Sequence, residues 1–180
     1  MEIFPMDGLF KKNTMGNNIF HEIAIEGSLL MLRRIRDNVN EQMDTYLSDT
    51  NDQGETCIVI AADRHRGRLA IELIEIFVGL GADINGTDNE GNTALHYTVF
   101  NEDHALASWL YQQPGINLNA ANHDELTPLG LAIQLNIQGM KAFLDFLEAA
   151  RAVLIEWNDS DDDDDDEDDD DDDVSTRRHG

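Results

Sequence analysis

Between Leu69 and Leu80 the apolar residues follow a helical spacing. Leu69, Leu73, Ile76 and Phe77 share one side of a 3.6-residue period, as do Leu73, Ile74, Phe77 and Leu80, and this predicts an amphipathic helix. Comparable stretches at Leu29–Val39, Ala105–Tyr111 and Met140–Leu154 predict three more. Each follows a shorter apolar start: Asn18-Ile19-Phe20-His21, Thr56-Cys57-Ile58-Val59, Thr93-Ala94-Leu95-His96 and Thr127-Pro128-Leu129-Gly130. An Asn or Thr at the head of each suits a helix N-cap, where its side-chain oxygen accepts from a free backbone N–H. Gly27, Gly67 and Gly139 lie between paired helices, where a tight turn is expected. Polar five-residue fingers, 51–55, 88–92 and 122–126, precede three of the starts. The last has Glu125 where the others have glycine, which puts the tightness of that hairpin in question.

The starts are 38, 37 and 34 residues apart, so the chain reads as about four helix–turn–helix repeats. A single such unit cannot bury its apolar face, but a stack shares one core. The expected fold is an all-α repeat solenoid over 18–157, with repeats at about 18–50, 51–87, 88–121 and 122–157. The polar stretch Asn40–Asn51, anchored by Tyr46 and Leu47, is the expected insertion. Residues 1–17 read either as a cap on the first repeat or as a disordered arm. Met140–Trp157 reads as a long closing helix, and 158–180 as a solvated acidic tail.

Charge narrows the function. The net charge of the 180 residues is −25. The unbroken acidic run Asp161–Asp173 supplies much of it, yet the stretch before it still holds more than twice as many acidic as basic residues. Binding nucleic acid through a basic face is therefore excluded as an expectation. Cys57 is the single cysteine, which fits a reducing compartment. No signal-peptide core or membrane-length apolar run is found, so a soluble, intracellular protein is expected. The Asp run either attracts basic partners or serves solubility, and Ser160 before it resembles an acidic-directed kinase site.

No catalytic constellation, metal site or cofactor motif emerges, and none is expected. His21 and His96 read as structural histidines bonding to neighbouring hairpins. His104 and His123, with Asp103 and Asp124, lack metal-ligand spacing. Cys57 reads as a small buried side chain. The basic cluster Arg64-His65-Arg66-Gly67-Arg68 either complements the end of a first helix or receives an acidic patch on a partner.

The run Gly81-Ala82-Asp83-Ile84-Asn85, then Asp88-Asn89-Glu90-Gly91-Asn92-Thr93-Ala94-Leu95-His96, resembles the finger and helix start of an ankyrin repeat, with Ala94 at the usual proline position. Gln112–Asn119 resembles the finger approach of IκB-family inhibitors. Gly54–Ala62, Arg64–Gly67 and Leu80–Asn85 together resemble the viral IκB-like ankyrin proteins (vankyrins) of bracovirus-type polydnaviruses carried by parasitoid wasps. The resemblance spans about Gly16 to Leu147.

It implies an immune-suppressing inhibitor that holds host Rel/NF-κB dimers inactive in the cytoplasm, with the nucleus as a further compartment. No Asp-Ser-Gly phosphodegron occurs, so inhibition should persist under signalling. By the ankyrin pattern the partner-facing residues are Asp52, Gln53 and Glu55; Asp63 and Arg64; Asn89, Glu90 and Asn92; Phe100 and Asn101; His123, Asp124 and Leu126; and Gln134 and Leu135. Phe100 is the expected anchor if it points outward, and inward packing is the alternative. The other reading of the chain is an ankyrin adaptor for a different host protein, its acidic tail recruiting basic proteins such as histones. Self-association stays open.

Overall fold

Asn13, Asn51, Asp88 and Asn122 each build the same five-residue finger. In each, the side-chain Oδ1 accepts two backbone N–H groups: from Met15 and Asn17 at 2.8 and 3.0 Å, from Gln53 and Glu55 at 3.0 Å each, from Glu90 and Asn92 at 2.8 and 2.9 Å, and from Asp124 and Leu126 at 3.1 and 3.0 Å. The fourth residue bonds back to the first carbonyl, and the first N–H bonds to the fifth carbonyl. A computed structural model describes residues 11–38 and 43–158, apart from the side chains of 44 and 150–158. It places a finger at Asn13–Asn17 that the sequence reading left inside an arm or cap, so the first repeat begins there and not at Asn18.

From each finger the chain enters a short helix and returns along a second. The helices are α1 (Ile19–Glu26), α2 (Leu29–Asn38), α3 (Asp44–Leu47), α4 (Cys57–Arg64), α5 (Gly67–Gly79), α6 (Ala94–Phe100), α7 (His104–Tyr111), α8 (Pro128–Gln134) and α9 (Gln138–Asn158). Asn18, Thr56, Thr93 and Thr127 are the N-caps of the four first helices; the side chains of Asn18, Thr56 and Thr127 accept backbone N–H groups as expected, whereas the Thr93 hydroxyl meets His96 Nδ1 at 3.0 Å. The expected insertion folds into α3, whose neighbour Met43 is buried with Leu47 while Tyr46 stays at the surface.

The chain divides into two units, residues 1–147 and 148–180. The first is two-layered. α1, α4, α6 and α8 pack in sequence as one layer, and α2, α5 and α7 as the other. Phe20, Leu32, Ile58, Ile60, Leu73, Ile74, Phe77, Leu95, Leu106 and Leu110 are fully buried between them, and Phe20 meets Phe77 edge to face at 6.3 Å. Burying a side chain of this size contributes about 1.5–3 kcal/mol. The helical stretches are short, so packing and not propensity holds them. The N-terminal segment 1–10 and the acidic tail 159–180, with Ser160 and the run Asp161–Asp173, lie outside the described residues.

The turn between paired helices needs one residue in the left-handed region. Gly27 fills it in the first repeat at φ 69°, as expected; Glu102 and Asn136 fill it in the third and fourth at φ 50° and 57°. Gly139 is therefore not the turn residue, because the chain has already reversed at Asn136 and Gly139 lies within α9.

Glu125 also adopts a positive φ, 61°, and its hairpin closes as tightly as the others. The reason a side chain is tolerated there is positional. A Cβ at Gly16, Gly54 or Gly91 would press on Asp52, Asn89 or His123 of the following finger, whereas no finger follows that of Glu125 among the described residues. Only the backbone strain remains, on the order of 1 kcal/mol. Glu125→Gly is accordingly expected to raise stability by about 1 kcal/mol, less the entropy glycine adds to the unfolded chain. A rise in urea midpoint with unchanged slope would show it, and a fall would contradict it.

Candidate protein-docking surface

Side chains that do structural work are separable from those left for a partner. Asn92 belongs to the first group. It is 2% exposed, its Nδ2 donates to Asp88 and Glu90 at 3.2 Å each, and its Oδ1 accepts from Asn122 Nδ2 at 2.9 Å. This corrects the expectation that Asn92 faces a partner: the finger's last residue turns inward to bind its neighbour. Asn101 is half-buried, donating to the Ala62 carbonyl at 3.0 Å and accepting from Arg66. Glu55 accepts from Asn51 Nδ2 at 2.8 Å, Asp63 pairs with Arg64 at 3.1 Å, and Leu126 packs against the core.

The remaining predicted residues are at the surface. Asp52, Gln53, Asn89, Glu90, His123 and Asp124 form the finger tips, and Arg64, Phe100, Gln134 and Leu135 lie at the ends of the first helices. Phe100 points outward, 45% exposed. Thr14 and Met15 occupy the equivalent tip of the first finger, and Met15 is 67% exposed. Sequence reasoning missed them, although Asn13-x-x-Gly16-Asn17 repeats the spacing of Asp88-x-x-Gly91-Asn92.

Two pairs of neighbouring tips are joined by backbone hydrogen bonds. The Asp52 N–H donates to the Met15 carbonyl at 3.1 Å, and the His123 N–H to the Glu90 carbonyl at 2.8 Å. Two buried histidines brace the bases of the fingers. His21 Nδ1 accepts from the Asn18 N–H at 3.1 Å while Nε2 donates to the Glu55 carbonyl at 3.1 Å. His96 repeats this with the Thr93 N–H at 3.1 Å and the Leu126 carbonyl at 2.9 Å. Burial lowers both pKa values from 6.5, against the opposing pull of those carbonyls. Val59 and Gly130 replace the histidine in the other two repeats. A surface fixed this way loses little conformational freedom on binding.

The basic cluster is likewise spent internally. Arg66 Nη1 donates to the Asp63 and His65 carbonyls at 2.7 and 2.8 Å, closing the end of α4. His65 Nε2 donates to the Ala24 carbonyl at 2.7 Å, and Arg68 pairs with Glu72 at 2.6 Å. These contacts match the helix-end reading. Cys57 is buried, and burial pushes its thiol up to about 12. His104 lies edge-on to Phe143 at 4.8 Å. Among the described residues no three His, Cys, Asp or Glu side chains are placed to hold a metal ion, and no helix is long and apolar enough to cross a membrane. An open groove of about 270 Å³ between α2 and α5 is lined by Arg33, Arg36, Glu72 and Glu75 around Ile76, unlike the mostly apolar clefts that take small molecules.

Fingers, paired helices and stitched tips define an ankyrin-repeat protein. The family model for ankyrin repeats (3 copies) matches residues 65–153. I-Kappa-B like protein N1 of Microplitis demolitor bracovirus (isolate Webb) is 41% identical over 108 residues, covering 59% of this chain and 78% of that protein. I-kappa-B like protein N2 of the same virus is 36% identical over 138 residues, covering 77% and 75%. The chain belongs to the I-kappa-B like ankyrin proteins of bracoviruses.

Proposed function

We propose that the chain binds host Rel/NF-κB dimers through its finger tips and first-helix ends and holds them inactive in the cytoplasm. The observation that carries this reading is the division of labour among side chains. The tip residues Asp52, Gln53, Asn89, Glu90, His123 and Asp124 are exposed, while the backbone N–H groups of Asp52, Gln53, Glu90, His123 and Asp124 are bonded to a neighbouring tip or within the finger. A row of fixed, exposed groups with an acidic side chain at each of the three tips suits a basic segment of a partner and speeds encounter with it. In this reading the protein is a binding module and not an enzyme. The absence of Asp-Ser-Gly over these 180 residues supports inhibition that signalling does not release.

Titrating a purified Rel dimer with the full chain is expected to give a stoichiometric complex. Charge reversal of Asp52, Glu90 and Asp124 to Lys should weaken it at least tenfold, with the loss shrinking as salt rises. No complex, or a complex indifferent to the reversals, would remove this reading. The Asp161–Asp173 run favours a second one, an adaptor that recruits basic proteins through its tail. Deleting 159–180 separates the two, since only the adaptor loses its partner.

A further inference from the structure

The joint between the first and second fingers repeats the joint between the third and fourth, with one bond missing. In both, the second residue of the later finger donates its N–H to the third residue of the earlier one: Asp52 to the Met15 carbonyl at 3.1 Å, His123 to the Glu90 carbonyl at 2.8 Å. In both, the fifth residue of the earlier finger is a buried asparagine, Asn17 or Asn92. Asn92 Oδ1 accepts from the side-chain amide of Asn122 across the joint, at 2.9 Å. The residue corresponding to Asn122 is Asn51, and its amide turns the other way, donating to Glu55 Oε2 at 2.8 Å within its own finger. Asn17 Oδ1 is left as the one buried side-chain polar atom without a hydrogen-bond partner among the described residues. Turning the Asn17 amide over would not help. Its Nδ2 donates to Glu22 Oε1 at 2.9 Å, and a flip would set two acceptors against each other.

The fifth residue of the later finger accounts for the difference. In the fourth finger it is Leu126, which offers the Asn122 amide no side-chain acceptor, so the amide reaches back to Asn92. In the second finger it is Glu55, whose carboxylate is a stronger acceptor than a neutral amide oxygen. The oxygens of Asn51 and Asn122 are pinned alike, each by two backbone N–H groups of its own finger. Only the destination of the NH2 group distinguishes the two joints.

We propose that the joint between the first two fingers is a latch with two positions, controlled by Glu55. With the Asn51 amide on Glu55 the latch is open, and the first finger is held to the second by one bond fewer than the third is to the fourth. When Glu55 releases the amide, it moves onto Asn17 Oδ1 and closes the joint. The closed position relieves a buried acceptor that is costly to leave unpaired. The latch sets how firmly the first tip, Thr14 and the exposed Met15, is fixed to the rest of the row. Glu55 is the control point, since whatever occupies its carboxylate frees the amide. The inference stands on these hydrogen bonds and does not depend on which partner the surface meets.

The test is hydrogen exchange, followed by NMR in the full chain, at the two N–H groups that cross the joints. In the parent, protection of Asp52 should be at least threefold below that of His123. Glu55→Leu gives the second finger the fifth residue of the fourth. It should raise the protection of Asp52 at least threefold and leave that of His123 unchanged, which also shows that the stack is intact. Adding Asn17→Leu removes the acceptor, and the gain at Asp52 should then vanish. Equal protection of the two groups in the parent overturns the proposal without recourse to any variant. No gain with Glu55→Leu overturns it as well, as does a gain that survives Asn17→Leu.

Discussion

Gly54→Ala is expected to lower stability by about 3 kcal/mol, the largest effect of any single methyl added to a finger. Two independent costs combine. Gly54 sits at φ 72°, where a residue with a Cβ loses roughly 1–2 kcal/mol. Its Cβ would also lie 2.9 Å from the Asn89 backbone nitrogen and overlap the Asn89 side chain, so the next finger must move. That displacement strikes the interface between the second and third repeats, and a stack depends on each such interface in turn. The urea midpoint should fall sharply, and the transition should broaden if the two halves begin to unfold separately. Asn89→Gly in the same chain should recover the part due to side-chain overlap and leave the backbone part. A Gly54→Ala protein as stable as the parent would contradict the stitched-finger account.

His96→Ala is the second large effect, at about 3 kcal/mol. The substitution leaves the buried Thr93 N–H and Leu126 carbonyl without their partner, and each unsatisfied buried group costs about 1–3 kcal/mol. It also makes the parent's acid sensitivity legible. His21 and His96 have folded-state pKa values lowered by burial. Below pH 6.5 the unfolded chain therefore takes up protons that the folded chain refuses. Their contribution is complete above 6.5 and is lost as pH falls through the lowered values. Denaturant midpoints measured from pH 7.5 to 5 should fall for the parent and fall less for His96→Ala. Parallel curves would show that His96 carries none of the pH dependence.

The repeat plan was legible because it rests on local rules: Asn18, Thr56, Thr93 and Thr127 announce helix starts, and Leu73, Ile74 and Phe77 mark a buried face. What escaped the sequence depends on neighbours. Asn92 looks like any polar finger residue until Asn122 is seen to claim its oxygen. Glu125 looks like a defect until the lack of a following finger among the described residues explains it. Asn13–Asn17 was hidden because residues 1–17 read as a cap or a disordered arm in place of a first finger, although the Gly16 spacing was present. Phe100 was balanced between inside and outside because helical spacing alone places it at the edge of the buried face, and the structure turns it out.

The most direct test of the central claim is competition for a Rel dimer already bound to DNA, at physiological salt, against the full chain and against the full chain with Asp52, Glu90 and Asp124 reversed to Lys. Displacement by the parent, lost or weakened at least tenfold in the reversed chain, is the predicted result. Displacement by neither chain, or equally by both, would contradict binding through the finger tips.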